Sequence, residues 1–268
     1  MRILHAKDEA TGAPIENAFV AMEGYDTVLG ECQVEARSYP ALLPERPHIV
    51  DIAAKGSSEA LDALYGAGTA LAQLLSRRSR QNSEIRIECG EAQRERLRAL
   101  GYRERDALVR MRRKHRASPM IERLPAKCTI VFDQLTDPYE ARYFIERYNT
   151  LFAREDGMAQ LKEMQAKDGF SRTVMVAPDG LAGEMLAWLE EGEGVIGYLY
   201  TAPAFRRQGV ARYLLDLARS YFLDAGLQDS RMDIWQRLLP AMQAASAAGF
   251  RPAQVLKEYA AIDIDWEE

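Results

Sequence analysis

The stretch Val195–Leu215, VIGYLYTAPAFRRQGVARYLL, reads in order as a buried strand, a kink, a glycine-bearing turn and an amphipathic helix. Val195–Tyr200 are apolar or aromatic apart from Gly197, which suits a strand covered on both faces, and Pro203 ends it by removing a ladder donor. From Val210 the apolar period becomes helical, with Val210, Tyr213, Leu214, Leu217, Tyr221 and Phe222 on one face. Between strand and helix lies Arg206-Arg207-Gln208-Gly209-Val210-Ala211. A glycine at that point lets the backbone come close to a ligand. The free amides of the opening helical turn, with its dipole, attract a polyanion such as a pyrophosphate.

Working outward, the segments on either side alternate strands and helices. Downstream come a strand at Arg231–Trp235, a helix from Pro240, Gly249-Phe250, and strands around Val255–Tyr259 and Ala261–Ile264. Upstream, Thr129–Phe132 reads as a strand. Asp137-Pro138-Tyr139-Glu140 then has the form of a helix start, with Asp as cap, Pro at the first helical position and Glu reaching back. Tyr143, Phe144 and Tyr148 follow on that helix, and Met158–Gln165 forms a second. Strands at Thr173–Val176, Leu181–Trp188 and Val195–Thr201 are joined by Pro178-Asp179-Gly180 and by Glu190–Gly194, connections tight enough for an antiparallel meander.

The first half repeats much of this order. Strand patterns fall at Arg2–His5, Ala18–Met22, Thr27–Val34 and His48–Ile52. A helix from Ser57 or Ser58 to about Leu75, a strand at Glu84–Glu88, a helix from Glu91 and a strand at Ala107–Met111 follow. A closing helix-Gly-aromatic-Arg sequence occurs twice, as Gly101-Tyr102-Arg103 and Gly249-Phe250-Arg251, so a duplicated domain is the economical reading. The expected organisation is a first domain over 1–116, a linker over 117–127 and a second domain over 128–268. Each domain is expected to be α/β (α+β), a mixed, mostly antiparallel twisted sheet flanked by helices.

With its lead-in Pro203-Ala204-Phe205-Arg206, the turn resembles motif A of the GNAT family of N-acetyltransferases, R/Q-x-x-G-x-G/A, with Arg206, Gly209 and Ala211 in its fixed positions. The resemblance covers the second half, and the first half is similar to a degraded copy, giving a tandem GNAT arrangement. It implies acetyl-CoA as co-substrate, with the backbone of Leu199, Tyr200 and Thr201 along the pantetheine arm. Amides and side chains of Arg206, Arg207, Gln208, Gly209, Val210 and Ala211 would hold the pyrophosphate. The first copy offers Gly56-Ser57-Ser58 or Gly66-Ala67-Gly68-Thr69-Ala70 without the leading Arg or Gln. About a dozen residues separate its first two strands, too few for the two helices that form the family's acceptor wall. No acetyl-CoA turnover is expected there.

Acyl transfer from a thioester to a primary amine by direct attack needs the partners held together, a base for the ammonium proton, a donor for the oxyanion and an acid for the thiolate. The tyrosine that many family members use as acid corresponds to Ala245, and an asparagine one turn earlier corresponds to Leu238. Ser246 would point about 100° away on the helix. For the base, Glu193 shares the strand parity of the family's glutamate position at Val195, and Glu184 lies on the neighbouring strand. Tyr198 and Tyr200 alternate to the opposite face and read as core, and Thr201 and Phe205 as strand-end packing. The alternative to an N-acetyltransferase is a non-catalytic acyl-CoA-binding sensor or scaffold of the same fold.

Composition sets the remaining bounds. The 268 residues, 47% hydrophobic and 28% charged, suit a soluble globular protein. The net charge of −5 divides into +3 over residues 1–127 and −8 over the remainder. Cys32, Cys89 and Cys128 are widely spaced, so neither disulfides nor a metal site is expected. No apolar leader or long apolar run occurs, and a cytoplasmic location without membrane contact is expected. The basic run Arg110–Arg116 reads as a strand end entering a solvated linker rather than a nucleic-acid contact, with His115 exposed in it. All three histidines precede the second domain, which excludes histidine catalysis within it. The expected acceptor is an amine-bearing small molecule rather than a protein, and the expected assembly is a monomer or weak homodimer.

Overall fold

A computed structural model describes residues 1–6, 17–115, 124 and 127–266. Most of the expected linker 117–127, and most of the connection between the first two strands, lie outside these residues. By their contacts the residues form two compact units that interleave along the chain: Met1–Asp106 with Thr150–Ala153 and Lys257–Glu268, and Ala107–Asn149 with Arg154–Leu256.

The first unit is built on β1 (Arg2–His5), β2 (Ala18–Glu23), β3 (Thr27–Ser38), β4 (His48–Gly56) and β5 (Ser83–Glu88). Helix α1 (Ser58–Ser79) connects β4 to β5, which run parallel, and α2 (Glu91–Ala99) follows. β1 to β4 form an antiparallel meander. The sixth strand comes from the far end of the chain: Tyr259–Ile264 pair antiparallel with Ser83–Glu88. α1 buries Leu64, Tyr65 and Ala72 in one core with Val50, Ile52, Ile85 and Ile87.

The second unit repeats the topology. β6 (Arg103–Lys114) precedes β7 (Thr129–Asp133), α3 (Pro138–Phe152), α4 (Gly157–Gln165), β8 (Ser171–Ala177), β9 (Gly180–Glu190) and β10 (Glu193–Thr201). Then come α5 (Val210–Asp224), β11 (Asp229–Trp235) and α6 (Leu239–Ala247), followed by β12 (Arg251–Ile264), whose residues from Lys257 on belong to the first unit. β7 to β10 are an antiparallel meander, β10 and β11 start parallel, and β6 closes the set against β11 from Lys114↔Asp229 to Leu108↔Trp235. α5 lies on one face, where Val210, Leu214, Leu215, Ala218 and Phe222 share a core with Met185, Ala187 and Ile196. On the other face Phe144 of α3 meets Tyr198 edge-on at 5.3 Å.

Three local expectations change. The last two strands are a single strand, Arg251–Ile264, because no turn residue interrupts it at Ala260. The basic run continues β6 to Lys114 instead of entering a linker, since its guanidiniums find carboxylates across the sheet. His115 is buried at 8% exposure, within the second unit, with its ring 5.9 Å from that of Phe222.

Candidate active site

The second unit's sheet is split at its centre. β10 pairs with β9 along its length, from Glu193↔Glu190 to Thr201↔Gly183, with a bulge between Ile196 and Tyr198. Its parallel pairing with β11 stops after Gly194↔Ser230 and Val195↔Arg231. Among the described residues no strand covers the other edge of Ile196–Thr201, so that backbone is left with donors and acceptors to offer. Gly197, the extra residue of the bulge, is exposed between buried Ile196 and Tyr198.

The open edge leads to the turn. Ala202 N–H ties β10 to Ala182 O at 3.0 Å, a 3-10 turn covers Pro203–Phe205, and Arg207 and Gly209 take left-handed backbone at φ +64° and +86°. Gly209 caps α5 with no side-chain hydrogen bond, and the first helical bond runs from Tyr213 N–H to Gly209 O at 2.9 Å. The opening amides therefore precede the helical ladder and point outward, as an anion site requires. Arg206, Arg207 and Gln208 are exposed, and Gln208 Nε2 donates to Ala204 O at 2.8 Å. Val210 is buried on Gly183, where an added Cβ would lie 2.5 Å from the valine Cγ1, so this glycine lets α5 seat closely. Leu199, Tyr200 and Thr201 thus lie along one path with Arg206–Ala211. Phe205 and Leu199 also pack on the core beneath α5.

Glu193 starts β10, eight residues from Thr201 and so about 26 Å along the strand. Its carboxylate meets Arg112 at 2.9 Å and Arg231 at 3.5 Å. Arg112 and Arg231 stand directly opposite each other on β6 and β11, and Glu193 offsets the repulsion of that pair. Glu184, the other carboxylate considered, has no exposure; Arg172 and Arg147 both hold it. Arg172 also reaches Asp133 and Glu140, each at 3.1 Å, so the group links β7, β8, β9 and α3. Arg147 lies over the Tyr200 ring at 5.6 Å. Burial first, and then the Glu184 charge, push the Tyr198 phenol well above its ordinary value.

Ala245 has no exposure, and Phe250 N–H closes on its carbonyl at 3.0 Å. The place of the family's acid is therefore filled core. The sequence alone places a ligand cleft between the strand of Val195 and that of Met232, but neither the extent of the split nor the bulge was read from it. The extent had no signal, because pairing between β10 and β11 depends on strands far apart in the chain. The bulge had one, a lone glycine inside an apolar strand.

The second unit is thus a mixed α/β fold whose split sheet ends its open strand at an uncapped helix start. Residues 127–250, somewhat under half of the chain, match the Acetyltransferase (GNAT) family model. N-acetylation from acetyl-CoA is the family's general kind of reaction. Solved structures share the fold over nearly the whole chain. A GCN5-related N-acetyltransferase from Sphaerobacter thermophilus has 15% identity and a TM-score of 0.51, with 92% of this chain and 80% of that one covered. A tandem GNAT protein from the clavulanic acid biosynthesis pathway has 14% identity and a TM-score of 0.52, with 92% and 82% covered. A conserved protein of Enterococcus faecalis V583 has 12% identity and a TM-score of 0.57, with 91% and 61% covered. No curated protein sequence matches the chain significantly. Among the described residues no helix is long and apolar enough to cross a membrane, and no cluster of side chains has the makings of a metal site.

Proposed function

We propose that the second unit binds acetyl-CoA in the split between β10 and β11 and transfers the acetyl group to a primary amine. The observation that carries this reading is the open edge Ile196–Thr201 running into the uncapped start of α5. The turn residues Arg206–Ala211 receive the pyrophosphate, Leu199–Thr201 pair with the pantetheine arm, and the thioester reaches the bulge at Gly197, where a backbone amide meets the developing oxyanion.

The first unit is a copy without a cofactor site, and three of its features support that. β4 and β5 stay paired from His48↔Ser83 to Ile52↔Ile87, nearly the whole of β5, which leaves only Ala53–Gly56 of β4 beyond the paired stretch, against Ile196–Thr201 of β10. β3 and β4 pair without a bulge. The Ser57 side chain accepts from Ala60 N–H at 3.3 Å, and the start of α1 is already capped.

Buried Ala245 supports a second reading, an acyl-CoA sensor without turnover. The two separate in one experiment: acetyl-CoA binding by calorimetry, alongside CoA release with a thiol reagent over simple amines, aminoglycosides, polyamines and lysine peptides. Binding with release supports the transferase, and binding without release across the panel supports the sensor. Arg206→Glu places a negative charge beside the pyrophosphate and should weaken binding by about tenfold or more. Unchanged affinity would remove the turn from the site.

A further inference from the structure

We propose that Trp188 is the stop that limits the acyl group to two or three carbons. This rests on the acyl-CoA reading of the split. A cofactor whose polyanion sits at Arg206–Ala211 and whose arm follows Thr201 back along β10 brings its thioester to Gly197, the one exposed residue between buried neighbours on that strand. Beyond Gly197 the slot has a fixed end, because β10 and β11 are zipped together at Val195↔Arg231. Two residues of strand, about 7 Å, separate the bulge from that end.

The space at the bulge is already claimed. Trp188 pairs with Val195 across β9 and β10, and its indole reaches along the sheet to the bulge. A Cβ added to Gly197 would lie 1.8 Å from Trp188 Cη2 and 2.1 Å from Cζ3, so the outer edge of the six-membered ring fills the place of a side chain there. Trp188 is 9% exposed and so is held by packing on its remaining sides. A rigid ring of this size, locked by packing, sets a sharper limit than a flexible side chain would. An acetyl or propionyl group ends before the ring and the zipped strands, whereas a six-carbon chain must displace one of them.

The test is affinity for CoA, acetyl-CoA, propionyl-CoA, butyryl-CoA and hexanoyl-CoA, measured by calorimetry on the full chain, with Trp188→Ala and Trp188→Phe alongside. The wild type should bind acetyl-CoA at least tenfold more tightly than hexanoyl-CoA. Trp188→Ala should cut that ratio about tenfold with affinity for CoA itself retained, and Trp188→Phe should fall between. Equal wild-type affinity for acetyl- and hexanoyl-CoA overturns the proposal, and this result needs no variant to fold. A ratio unchanged in a Trp188→Ala protein that still binds CoA overturns it as well. Failure of the wild type to bind CoA at all is a different result: it removes the acyl-CoA reading itself, and this inference with it.

Discussion

Single residues carry charge in this protein in two distinct ways. Glu184 is wholly buried between Arg147 and Arg172, so removing its carboxylate leaves the half-buried Arg147 without its ion pair and the buried Arg172 with only Asp133 and Glu140 to offset its charge. Glu184→Ala should cost about 3–5 kcal/mol by urea denaturation. His115 gives the opposite case, a buried neutral base. Burial first, and then the nearby Arg113, hold its imidazole down at about 4 against an ordinary 6.5, with Asp229 opposing and Arg219 reinforcing the shift. Because the folded value is depressed, the unfolded chain takes the proton first. The stability is intact above about pH 6.5 and drains away as pH falls toward 4. Between pH 7 and pH 5 the loss is about 2 kcal/mol. His115→Leu should flatten that part of the urea-denaturation pH profile; an unchanged profile would mean the ring is solvated. Neither role was legible in the sequence. A histidine after a run of arginines looks solvated, and nothing local says that β6 lies beside β11 with its end under Phe222. The turn was legible, because Arg206-Arg207-Gln208-Gly209-Val210-Ala211 is contiguous and its chemistry is largely that of its own backbone.

Between elements, the difference between the two copies comes down to how far one pair of parallel strands stays joined. In the first unit β4 and β5 remain paired to Ile52↔Ile87, and Arg86 braces Asp51 across them. In the second, β10 and β11 part after Val195↔Arg231. Hydrogen exchange reads this directly. Amides in Ile196–Thr201 that face β11 should exchange quickly without ligand and gain protection with acetyl-CoA, while those of Ile49–Ile52 stay protected in both conditions. Protection of Ile196–Thr201 that does not change with ligand would contradict a cofactor along that edge. The strands themselves could be read from their period, since alternation and apolar runs are local properties. Where two strands separate is not local, and only the lone Gly197 in an otherwise covered strand hinted at it.

At the level of the whole molecule, the chain repeats one six-stranded plan twice, and each unit takes its sixth strand from the other half of the sequence. Tyr259–Ile264 complete the first sheet against β5, and Leu108–Lys114 complete the second against β11. The helix-Gly-aromatic-Arg signature marks the approach to both closing strands, but it carries no information about which sheet each one joins. Cutting after residue 116 should therefore leave each fragment short of a strand. Expressed alone, the fragments 1–116 and 117–268 should lack cooperative unfolding by circular dichroism, and mixing them during refolding should restore it. A cooperatively folded fragment 1–116 would show that β5 tolerates a bare edge.

That arrangement also bears on inheritance. One of two duplicated domains is ordinarily free to be deleted, because its partner does not need it to fold. Here a deletion of either half of the gene removes a strand from the half that remains. Neither half of the chain is dispensable to the other, whatever its own surface does.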